Sequence, residues 1–97
     1  MRRVRWAQAA VSDLDDIQAY LSEAYTSDYA QFVIERLVLA TDWLLEHPNA
    51  GAPLEHPPWR KWKPRRTRYI LIYEPIPDGI DVARIRHDQN DWRLVPQ

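Results

Sequence analysis

Six of the nine positions from Arg60 to Arg68 are basic (Arg60, Lys61, Lys63, Arg65, Arg66, Arg68), none is acidic, and Trp59, Trp62 and Tyr69 interleave with them. Guanidinium and ammonium groups beside flat rings can grip phosphates and stack on bases, and they serve equally well against an acid-rich protein. The plain alternative is an edge strand kept soluble by its cations. A second concentration of chemistry is Arg84-Ile85-Arg86-His87, where an imidazole beside guanidinium groups could carry a proton for phosphodiester cleavage. Against that, most side-chain hydrogen bonds go to backbone or water, which is the ordinary fate of a lone histidine at a strand end. Asp13, Asp15 and Asp16 cluster only along the sequence, because helix neighbours one and two apart point to different sides. They read as a solvated helix face. His47, His56 and His87 are scattered and cysteine is absent. With no phosphate loop, nucleophile elbow or metal-ligand spacing either, no metal and no cofactor is expected.

Ninety-seven residues fit one domain, 1–97, with a compact core. All eight prolines fall at or after position 48, so the first half is free to be helical and the second is cut into turns and short extended pieces. Charge divides the same way. Residues 1–50 hold four arginines against eight acids, and residues 51–97 hold nine cations against six acids, which gives −4 and +3.

Val4-Arg5-Trp6 reads as a short strand. From Ala10 the apolar positions Ala10, Leu14, Ile17, Leu21 and Ala24 form the stripe of an amphipathic helix, with Asp13, Asp15 and Asp16 near its positive end. Thr26-Ser27-Asp28 marks a break and a fresh cap, with Gln31 placed to reciprocate. A second stripe of Ala30, Val33, Ile34, Leu37 and Leu44 runs to His47, where Pro48 stops it.

Two long helices separated by so few residues must fold back on each other. Residues 49–58 read as loop, Tyr69–Tyr73 and Ile80–His87 as antiparallel strands around Asp78-Gly79, and Pro75 and Pro77 should splay the tip of that hairpin. The expected class is α+β, a helical hairpin on one face of a small antiparallel sheet of three or four strands. Leu14, Ile17, Leu21, Val33, Leu37, Leu44, Ile72 and Ile85 should form its core, while Trp6, Trp43 and Trp92 read as core or interface anchors. The N-terminus has no signal-peptide apolar run and no stretch is long enough to span a membrane, so a cytoplasmic location is expected.

Several of these residues, in this order and spacing, resemble the ParE/RelE toxin superfamily. They are Trp6, Ala10, Asp13-Leu14, Ile17 and Tyr20, then Leu45-Glu-His-Pro48 and Gly51-Ala-Pro53-Leu54. Tyr69-Ile-Leu-Ile-Tyr73, Asp78-Gly79-Ile80, Arg84-Ile85-Arg86-His87 and Asp91-Trp92 complete the match. The resemblance implies a growth-inhibiting toxin held silent by a co-expressed antitoxin whose disordered segment wraps it. The complex would reach operator DNA only through the antitoxin. RelE-like members cleave messenger RNA on the ribosome without a metal, and Arg68, Arg84 and His87 would be the catalytic candidates here. ParE-like members inhibit DNA gyrase and are not enzymes of that kind.

Three features favour the ParE branch. Ile70 stands where the nuclease branch typically has an arginine, and Arg68 is displaced about 6–7 Å along the strand from that place. The pI near 6.3 suits a ribosome binder poorly. The ending Arg84-Ile85-Arg86-His87 with Asp91-Trp92 is also the more ParE-like one. On this reading Arg60, Lys61, Lys63, Arg65, Arg66, Arg68, Arg86, Asp91 and Trp92 are the candidates for contacting the target or the antitoxin. A third reading keeps the fold and drops the toxicity, leaving a binding module.

Overall fold

The computed structural model describes residues 2–89. Strand β1 (Arg3–Trp6) is followed after one residue by α1 (Gln8–Ala24), then α2 (Ser27–Glu46), β2 (Ala52–Pro53), β3 (Arg60–Trp62), β4 (Tyr69–Ile76) and β5 (Gly79–His87). The β1–α1 junction is tight because Ala7 serves both elements. Its N–H donates to the Val82 carbonyl at 2.9 Å, while its carbonyl accepts the first helical bond, from Val11. At the other junction the Thr26 hydroxyl accepts from the Tyr29 N–H at 3.0 Å and starts α2. Gln31 does not reciprocate; it bonds Glu35 one turn on. No helix among the described residues is long and apolar enough to cross a membrane.

Both helices pack on one face of a sheet ordered β1-β5-β4-β3-β2. The α+β hairpin-on-sheet architecture stands as expected, but the sheet is larger and mixed. Among the described residues it has five strands, and β1 runs parallel to β5. A parallel partner needs a crossover, and here the two helices lie in the chain between β1 and β5. The fifth strand, β2, is two residues long and sits inside the stretch that reads as loop.

The β4–β5 hairpin is paired right up to Ile76↔Gly79, so the prolines do not splay it. Pairing with β3 ends at Arg60↔Tyr73, which leaves β4 beyond that point with an open edge where a missing donor is tolerated. Gly79 has φ +151°, and any Cβ there would collide with the Arg3 backbone carbonyl. Only glycine lets β1 pass so close.

A register shift between β4 and β5 inserts Ala83 as an extra residue, since Ile72 pairs Arg84 and Tyr73 pairs Val82. Without the extra residue, strict alternation from Ile80 and Val82 would drive Arg84 into the core. With it, Ile85 takes that place and joins Ile80 and Val82 in the cluster that includes Ile17, Leu21, Val33, Leu37 and Leu44. Leu14 is only partly buried against the cluster. Ile72 is fully buried but lies outside it, because β4 alternates and Tyr69, Leu71 and Tyr73 are the residues that face the helices.

Tyr73 also carries a polar role. Its hydroxyl donates to the Pro48 carbonyl and accepts from the Gly51 N–H, both at 2.9 Å, and so anchors the chain leaving α2. A Cβ on Gly51 would meet that hydroxyl at 2.5 Å. Replacing Tyr73 with phenylalanine keeps the packing but strands the Gly51 N–H and Pro48 carbonyl, which should cost about 1–3 kcal/mol in chemical denaturation. Burial raises the Tyr73 phenol above its ordinary value near 10, against the opposing Gly51 hydrogen bond and the Arg60 charge. The associated stability is therefore full below that ordinary value and lost as pH rises through the raised one. The phenylalanine variant should lack this share of the alkaline sensitivity.

Candidate functional site

The basic segment divides by environment. Arg60 is structural: its guanidinium donates to the Asn49 and Gly51 carbonyls at 3.1 and 2.7 Å. Lys61 sits mid-strand between Ala52 and Ile72. Lys63 and Arg68 converge on the same oxygen of Asp88, at 3.2 and 3.3 Å, which pins the β3–β4 connection to the end of β5. Burial pushes the Asp88 carboxyl up, yet the Lys63 hydrogen bond and the Arg68, Lys63 and His87 charges together hold it below its ordinary value. Its contribution to stability is thus present above the ordinary carboxylate range and fades as pH falls through the depressed value.

Arg65 and Arg66 stand apart from these. They occupy an exposed turn between β3 and β4, closed by the Thr67 hydroxyl donating to the Pro64 carbonyl. Arg66 has φ +64°, a conformation that side chains other than glycine seldom hold.

The three nuclease candidates are not assembled into one constellation. Arg84 turns to α1, where Nε and Nη2 donate to the two carboxylate oxygens of Asp13 at 2.8 and 3.1 Å. Asp13 also accepts the Ile85 N–H at 2.9 Å. This corrects the reading of Asp13 as a solvated residue near the helix start: α1 begins at Gln8, so Asp13 lies beyond the first turn. Pairing of β1 with β5 ends at Trp6↔Val82, and the carboxylate takes the place of the absent strand partner. The Asp13 hydrogen bond raises the Arg84 pKa, with burial opposing.

His87 and Arg68 both lie beside Asp88, Arg68 on one carboxylate oxygen at 3.3 Å and the His87 ring 3.4 Å from the other without a hydrogen bond to it. The His87 ring lies edge-on to Tyr69 at 5.3 Å, and its Nδ1 accepts from the Gln89 N–H at 3.1 Å. Arg86 presents a buried Nε without a hydrogen-bond partner among the described residues. An open groove of about 460 Å³ runs beside these groups, between Asp16, Tyr20, Tyr69, Arg86 and His87. Burial first, then the neighbouring Tyr20, Tyr29 and Tyr25, raise the Tyr69 phenol. Asp91 and Trp92 lie outside the described residues.

Ile70, where the resemblance would place a nuclease arginine, is buried opposite Arg86. The sequence pattern of the family described as the ParE toxin of type II toxin–antitoxin systems matches residues 4–92. The chain belongs to this ParE toxin family. It is 31% identical over 94 residues to the Sinorhizobium fredii protein Y4kP, by name a toxin candidate, over 97% of this chain and 96% of that one. A solved chain from the chromosomal ParDE system of P. aeruginosa has the same fold, with a TM-score of 0.79 at 22% identity, over 90% of this chain and 96% of that one.

In this ParE-family toxin, Trp43, one of the expected core or interface anchors, marks a second surface on the far side of α2. Trp43 stacks on Trp62 at 4.9 Å and on His47 at 4.2 Å, and remains 44% exposed. Trp6, by contrast, packs against the core. The available signal was spacing: Arg36, Leu39 and Trp43 recur on one side of a helix whose core stripe is already complete without them.

Proposed function

We propose that this toxin inhibits DNA gyrase in the cytoplasm, is not a ribosome-dependent nuclease, and is neutralised by a cognate antitoxin through which the pair reaches operator DNA. The observation that carries the choice of target is the Arg84–Asp13 clamp. A guanidinium held by both oxygens of a helix carboxylate is committed to the fold and cannot follow a migrating phosphate charge. Ile70, buried where a nuclease would place a second guanidinium, supports the same reading. One observation favours the nuclease alternative, the meeting of Lys63, Arg68 and His87 at Asp88.

Purified toxin should inhibit gyrase supercoiling, and induced cells should filament with a DNA-damage response. Co-expression of the adjacent partner gene should restore growth. Prompt translational arrest, with messages cut at the ribosomal A site and protection by His87→Ala, would transfer the assignment to the nuclease branch. Normal growth with folded toxin present would leave the binding-module reading.

A further inference from the structure

We propose that the groove between α2 and the β3–β4 turn is the docking site for an acidic, amphipathic segment of the antitoxin, a proposal that rests on the toxin–antitoxin reading. Arg36, Leu39 and Trp43 line one wall and Trp62, Pro64 and Arg65 the other, around a cavity of about 450 Å³. The floor is apolar and open to solvent: Leu39 is 60% exposed, the largest value among the large aliphatic side chains of the described residues. Its width is held, because the Arg36 Nε donates to the Arg65 carbonyl at 3.2 Å and the Trp43–Trp62 stack braces helix against strand. A cleft walled by tryptophan and arginine carries the residue types that concentrate binding energy at protein interfaces.

Charge selects the occupant. No lining residue is acidic, and the Arg65 and Arg66 side chains extend into solvent with no acidic partner among the described residues. Arg66 keeps a left-handed backbone that glycine would hold with less strain. The turn thus holds Arg66, exposed beside the groove-lining Arg65, in a conformation that costs stability. An apolar floor under a positive rim complements a short helix with one bulky apolar anchor flanked by Asp and Glu. A nucleic acid fits less well: a chain of phosphates needs a continuous run of cations, whereas the floor between Arg36 and Arg65 is apolar.

The test uses full-length toxin and the full-length antitoxin encoded by the adjacent reading frame, followed by biolayer interferometry with thermal unfolding as the folding control. Leu39→Glu, at an exposed position, should weaken binding by about tenfold or more, chiefly through faster dissociation. Val11→Glu, at an exposed position on α1 away from the groove, should leave affinity within about twofold, as independent surface positions do. Replacing Arg65 and Arg66 together with glutamate should slow association at low salt, with less difference at high salt. Arg66→Gly should weaken binding while its Tm equals or exceeds that of the wild type. The groove proposal is overturned if wild type binds and Leu39→Glu binds equally well, or if Val11→Glu is as harmful. Loss of a mixed-sequence RNA oligomer instead of antitoxin on Leu39→Glu would assign the groove to nucleic acid and overturn it too. If wild type binds no antitoxin at all, the toxin–antitoxin reading falls, and the groove proposal with it.

Discussion

Truncating Leu37 to alanine is expected to lower the unfolding free energy by about 2–5 kcal/mol, because a fully buried side chain leaves both a transfer loss and a cavity. Leu37 lies mid-way along α2 and belongs to the cluster that joins both helices to β4 and β5, so neighbouring elements cannot collapse independently into the gap. In a domain of this size that is on the order of 10 °C or more in Tm, and a large share of the total stability. Urea denaturation with an unchanged m-value would confirm a native-state effect. A change below about 0.5 kcal/mol would mean that the helical hairpin does not seat on the sheet as described.

The second large effect belongs to Asp13. Removing its carboxylate by Asp13→Ala takes three hydrogen bonds at once, two from Arg84 and one from the Ile85 N–H. Arg84 keeps 30% of its side-chain exposure, so water partly replaces the lost partner and the expected cost is about 2–4 kcal/mol, below that of a fully buried pair. Asp13→Asn separates the contributions, since an amide oxygen can still accept the Ile85 N–H but cannot hold a guanidinium by two charged oxygens. Amide exchange at Ile85 should accelerate strongly in the alanine variant and modestly in the asparagine one. Equal protection in both would show that Asp13 does not cap the strand.

Both positions mark what was legible from residue order alone. Leu37 is part of a helical stripe, and a stripe is a local property: its periodicity of about 3.6 residues shows in any sequence window. Asp13 has no local signature. It was read as a solvated acid because neighbours on a helix diverge, and its true partners lie 71 and 72 residues away. The basic segment meets the same limit. Six cations in nine positions look alike in a sequence, yet Arg60 holds a loop, Lys63 and Arg68 hold Asp88, and Arg65 and Arg66 are presented to solvent. His87 and Arg68 both lie beside Asp88, whereas Arg84, grouped with them as a candidate, is turned away toward Asp13.

The α+β class, the helical hairpin, the cap at Thr26, the strands around Gly79 and the kinship with ParE-type toxins all follow from the order of residues. Each rests on propensity, periodicity or turn chemistry acting over a few residues, or on a whole-chain pattern of such features. Tertiary structure decided the rest: that β1 pairs in parallel with β5, that an extra residue at Ala83 sends Ile85 inward in place of Arg84, and that Trp43 meets Trp62 across a groove. These depend on which segments meet after the chain has closed long loops. A one-residue shift in register exchanges the two faces of a strand without altering composition or its apparent β character.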